Sequence, residues 1–162
     1  MIWIIISITF VCFMFLILRG MKGPAKTLKT IGKPISDLLR RGYNGAFLVI
    51  DVSHTKYFLQ LRKYISAPGE YGIELFFPNA KWSINFFNKL IDLCENEKIR
   101  YSLTKKNDNE QLEFLCIDFA KNSHDAYSFI KRILLEVFEV NEDTKLFIRL
   151  ENATTEDVLI DK

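Results

Sequence analysis

The sequence predicts an α+β domain with an antiparallel sheet, preceded by an N-terminal transmembrane helix, and three observations lead there. An uncharged apolar run opens the chain, several stretches alternate apolar and polar residues with period two, and three others carry apolar stripes at helical spacing. The order read from these patterns is α-βββ-α-ββ-α-β, with the helices packed on one face of the sheet. The 162 residues suffice for one core, and 49% hydrophobic against 26% charged is an ordinary balance for a folded chain.

From Ile2 to Leu18 only Ser7 and Thr9 interrupt Ile, Phe, Val, Leu, Met, Trp and Cys. As a helix this run would span about 26 Å at about 1.5 Å per residue. A bilayer core is roughly 30 Å thick, and Arg19 can snorkel while the bilayer thins to absorb the difference. A cleaved signal fits less well, because the first charge follows the apolar run and no Ala-x-Ala precedes a cut. Residues 1–18 are therefore expected to form an uncleaved membrane anchor.

Between residues 19 and 45 seven basic residues face Asp37 alone, a net charge of +6. Residues 46–162 hold 15 basic and 19 acidic residues. That asymmetry predicts a single-pass protein of a bacterial inner membrane, its N-terminus outside and its domain cytoplasmic. Residues 19–34, punctuated by Gly20, Gly23, Pro24, Gly32 and Pro34, read as a basic tether. In it Arg19, Lys22, Lys26 and Lys29 are the candidate contacts to a lipid bilayer. Nucleic acid is not expected as a partner, since no aromatic residue stands between Phe15 and Tyr43 to stack on bases.

The domain is expected over residues 35–151. Ile35, Leu38 and Leu39 mark a short helix closed by Gly42. Ala46 to Val52 and Lys56 to Ile65 form a hairpin around Ser53 to Thr55, and Tyr71 to Phe77 is a third strand after the Ala67-Pro68-Gly69-Glu70 turn. Asn79 is a candidate cap for a helix whose stripe is Phe87, Leu90, Ile91 and Cys94. A second hairpin follows, Ile99 to Leu103 and Leu112 to Phe119. Asn122 or Ser123 then caps the helix carrying Ala126, Phe129, Ile130, Ile133, Leu134 and Val137. Lys145 to Glu151 is the last strand, and the acidic tail over 152–162 reads as frayed from Thr154 onward.

Chemistry is sparse in this pattern. There are two histidines, each near an aspartate: His54 after Asp51, and His124 beside Asp125. Either pair could serve as an acid-base unit, yet both also suit turns and first helical turns. No His-x-x-x-His or Cys-x-x-Cys offers a metal site, and no glycine-rich phosphate loop or nucleophile elbow is present. Cys94 and Cys116 sit in apolar runs and read as core residues. No metal and no cofactor are expected, and no enzyme activity. The Asn152 to Thr154 glycosylation sequence is taken as chance.

The aromatic residues stand out: Tyr71, Phe76, Phe77, Trp82, Phe86 and Phe87 gather around the third strand and the helix after it. Ordinary packing on both sides of the sheet would account for them. If a partner site exists, Trp82, Phe76 and Tyr71 are its candidate residues. The element order is similar to the fold of type III secretion chaperones and of some toxin-neutralising immunity proteins. That resemblance implies an architecture only and transfers no residue role. The function expected is non-catalytic protein binding by a membrane-anchored domain. The alternative is a membrane-associated enzyme acting on a lipid or peptide through Asp51 with His54, or Asp125 with His124.

Overall fold

The computed structural model describes residues 25–105 and 113–162. A 3-10 turn over Leu28–Thr30 leads into α1 (Gly32–Arg41), followed by β1 (Gly42–Val52), β2 (Phe58–Ala67) and β3 (Glu70–Pro78). Then come α2 (Ile84–Asn96), β4 (Ser102–Lys105), β5 (Glu113–Asp118), α3 (Ser123–Arg132) and β6 (Leu146–Ala153). α3 runs on into a π-helical turn, Ile133–Val137, closed by the Phe138 N–H donating to the Ile133 carbonyl at 2.9 Å.

The six strands form one antiparallel sheet in the order β4-β5-β3-β2-β1-β6. Alternation along each strand sorts the side chains onto two faces. Leu48, Ile50, Leu59, Leu61, Ile73, Leu75, Phe77, Leu115 and Ile117 point to one face. There they are buried in a single cluster with Ile35, Leu38, Phe87, Leu90, Phe129, Ile130 and Leu134 from the three helices. The helices thus share one face because each offers one apolar stripe and needs one apolar surface to cover it.

The helix ends follow from local chemistry. Pro34 falls in the first turn of α1, where no intrahelical donor is lost. Asn122 caps α3 by accepting from the Asp125 N–H at 3.1 Å. α2 starts at Ile84 rather than directly after Asn79, because the buried Ser83 hydroxyl donates to the Pro78 carbonyl at 2.5 Å and accepts from the Ala80 N–H at 3.0 Å. Residues 79–83 are held in that turn and not in the helix.

The expected single-pass membrane protein is corrected by the structure. Among the described residues no helix is long and apolar enough to cross a membrane. The longest, α2, has 13 residues and includes Lys89, Asp92 and Glu95, whereas a span needs about 20 apolar ones. The membrane-spanning element of the expected fold, and the inner-membrane location inferred from it, are therefore unsupported. The run 1–18 assigned to the anchor lies outside the described residues.

Two further expectations change. The described part of the basic tether is packed: Leu28 and Ile31 are fully buried, and Lys26 exchanges two 2.8 Å backbone hydrogen bonds with Leu146 at the start of β6. Residues 154–162, expected to fray, are bound across the end of α1 and the β2–β3 turn.

Candidate functional site: the open face of the sheet

The second face of the sheet bears the alternate residues of the same strands. The register aligns them in rows. Ser102, Cys116, Phe76, Gln60, Val49 and Arg149 form one row, and Asp118, Glu74, Arg62, Phe47 and Glu151 form the next. Phe114 pairs with Pro78 beside them. Neither Phe47, Val49, Phe58, Phe76, Phe114 nor Cys116 belongs to the helix-covered core or packs against it. Among the described residues, this face has no helix over it. Its phenyl rings are half-buried, with Phe76 and Phe114 centroids 6.1 Å apart and Phe58 resting on Trp82 at 5.1 Å.

Charges on this face are largely neutralised within it. The Arg62 guanidinium donates twice to Glu74 Oε1, at 2.8 and 2.5 Å, and lies 4.4 Å over the Phe76 ring. Arg149 reaches Asp51 at 3.5 Å. The Tyr64 hydroxyl donates to both oxygens of Asp118, at 3.0 and 3.1 Å. Burial first, and then the adjacent carboxylate, push the Tyr64 phenol up to about 12. Burial likewise raises the Cys116 thiol, which makes it a poor nucleophile, and the Thr104 hydroxyl 3.3 Å away opposes that shift only in part. Cys94, on the helix side, is pushed by burial to about 11.

The three candidate partner residues fall in three different places. Phe76 lies on the open face. Tyr71 packs against the helix-side core, its ring facing Lys63 at 5.0 Å and Lys121 at 4.5 Å. Trp82 sits at the other end of β3, also against the core, between Phe58 at 5.1 Å and Phe77 at 5.9 Å. These residues do not make one surface. Phe47, Val49 and Phe114, unremarked in the strand patterns, are the ones Phe76 shares a face with. Period two along each strand marks them, but only the register shows that they are neighbours.

Of the four candidate bilayer contacts, Arg19 and Lys22 lie outside the described residues. Lys26 is the residue bridged to Leu146, and Lys29 lies 3.9 Å from Glu142 in an exposed pair of little energetic value.

The two acid-base pairs are apart. Asp51 and His54 line a cavity of about 530 Å³ with Ser53, Thr55, Lys145 and Phe147. His124 and Asp125 are in the first turn of α3 and take no part in it. His54 has a backbone reason for its position: its φ is +62° in a turn closed by Thr55, whose N–H and hydroxyl both donate to the Val52 carbonyl, at 3.2 and 2.9 Å. Histidine pays a left-handed penalty there that glycine does not. His54→Gly is expected to raise stability by up to about 1 kcal/mol, measured by urea denaturation. A loss of stability would mean that the imidazole, not the turn, holds this site together. Among the described residues, no group of three or more His, Cys, Asp or Glu side chains could hold a metal ion.

No family model, no curated protein and no solved structure matches the chain.

Proposed function

We propose that this chain is a non-catalytic protein-binding module whose partner seats an apolar, weakly charged surface on the open face of the sheet. The observation behind this reading is the aromatic face of Phe47, Phe76 and Phe114, which lies outside the helix-covered core. Six strands at about 4.8 Å spacing make that face about 24 Å wide, enough for a partner helix or strand pair. Because Arg62, Arg149 and Tyr64 are already matched with carboxylates on the same face, a highly charged partner gains little there, and affinity must come from apolar burial.

A photo-crosslinking residue at Gln60, in the centre of the face, is expected to capture one protein. The same residue at Asn88, exposed on α2, is expected to capture none. Phe76→Asp should abolish the Gln60 crosslink without altering the circular-dichroism spectrum. The complex reconstituted with that protein should change its Kd less than about threefold between 50 and 500 mM salt, as few counterions are released. Equal crosslinking from both positions, capture only of a second copy of this chain, or a steep salt dependence would each overturn the proposal.

A further inference from the structure

Lys63 is on the helix-facing side of β2, following Leu59 and Leu61, and is fully buried. Its ammonium donates to the Ile160 carbonyl. Ile160 belongs to residues 154–162, which are fastened mainly through backbone groups and charges. The Thr154 N–H donates to the Arg41 carbonyl at 3.0 Å, and the Arg41 guanidinium donates back to the Thr154 carbonyl at 2.9 and 2.7 Å. The Ile160 N–H donates to the Arg40 carbonyl at 2.7 Å, the Gly69 N–H donates to the Asp161 carbonyl at 3.2 Å, and Arg40 pairs with Asp157 at 3.1 Å. By contrast Val158 and Leu159, the large apolar residues of this segment beside Ile160, are 42% and 48% exposed. A segment tied by hydrogen bonds at its margins with little apolar burial is the kind that opens locally.

We infer that residues 154–162 form a strap that opens and closes as a unit while the sheet stays folded, and that its opening delivers the Lys63 side chain to water. Lys63 makes this movement sensitive to pH. Closed, burial holds its ammonium down to about 8, opposed only in part by Asp161. Open, the amine is solvated and returns to about 10.4. The open strap therefore binds the proton more tightly, so closure strengthens as pH rises from about 8 toward 10.4 and is weakest below 8. Besides Asp161, the titratable group facing Lys63 is Tyr71 on β3, whose ring also meets the Lys121 ammonium, while Arg40 and Arg41 at the end of α1 engage the strap itself at Asp157 and the Thr154 carbonyl.

Hydrogen exchange of the full chain tests this, with protection factors corrected for intrinsic rates. The Thr154 and Ile160 amides are expected to be at least about tenfold less protected than those of Leu48 and Ile50 in β1. Their protection should rise about tenfold or more between pH 7 and 9.5, and Lys63→Met should flatten that rise. Asp157→Asn, which leaves Lys63 in place, should loosen the strap and keep the pH dependence. Strap and sheet amides exchanging together in the unmodified chain would overturn the inference, as would a pH rise that persists in Lys63→Met. Should Lys63→Met not fold, a flat profile in Asp157→Asn would overturn it as well.

Discussion

Replacing Phe77 by alanine is expected to cost about 3–5 kcal/mol. Phe77 is fully buried at the helix-side end of β3, with ring centroids of Trp82, Phe138 and Phe87 at 5.9, 6.0 and 6.5 Å. Three rings from three other parts of the chain, the 79–83 turn, α2 and the end of the π-helical turn, cannot all move in to fill the space, so a cavity term adds to the lost transfer energy. A domain of ordinary stability has about 5–15 kcal/mol in total, so the thermal midpoint should fall by roughly 10–20 °C. Phe76→Ala, one residue away on the other face, should cost about 1 kcal/mol or less. Calorimetry on the pair is decisive, because equal losses would refute the assignment of these two rings to opposite faces.

Gly72→Ala is expected to cost about 1–3 kcal/mol although it adds one methyl group. A Cβ there would stand 2.5 Å from the Tyr64 hydroxyl oxygen and 2.8 Å from the Ala120 Cα. Neither neighbour gives way easily. The Tyr64 hydroxyl is bound to Asp118, whose carboxylate also accepts from the Ala120 N–H at 2.8 Å, and Ala120 is itself at φ +47°. The substitution must break the Tyr64–Asp118 bond or shift the backbone beyond β5. The phenol reports which occurs. In the parent chain it holds its proton to about 12, above its ordinary value near 10, so this contribution to stability is complete below pH 10 and disappears as pH climbs through 12. Ultraviolet titration of Gly72→Ala should return that phenol toward 10. An unchanged titration would mean that the backbone moved and the tyrosine did not.

Much of the architecture follows from periodicity alone. The alternation through Tyr71, Ile73, Leu75 and Phe77 separates Phe76 from Phe77, and the stripe Phe87, Leu90 and Cys94 marks the buried side of α2. Asn122 is readable as a cap because its side chain acts within three residues. What period cannot report is which strands meet. That β6 returns to β1 rather than adding beyond β4 is a long-range pairing, and it decides which residues share the open face. Trp82, a candidate partner residue in the sequence with ordinary packing as the competing account, packs on Phe77 because Ser83 ties its turn back to β3. Leu28 and Ile31 were masked by the glycines and prolines around them. Lysine at 63 and acidic residues at 157 and 161 each suggest solvent when taken singly. Only folding puts the Lys63 ammonium against a carbonyl of the strap and Asp157 against Arg40.

The return of β6 to β1 also bears on how the chain is made. Arg41, the last residue of α1 immediately before β1, binds Thr154 across 113 residues of sequence. During synthesis the outer edge of β1 must wait, its amides and carbonyls unpaired, until the last strand has cleared the ribosome. A chain lacking residues 146–153 would leave that β1 border unpaired and open to pairing with a second copy.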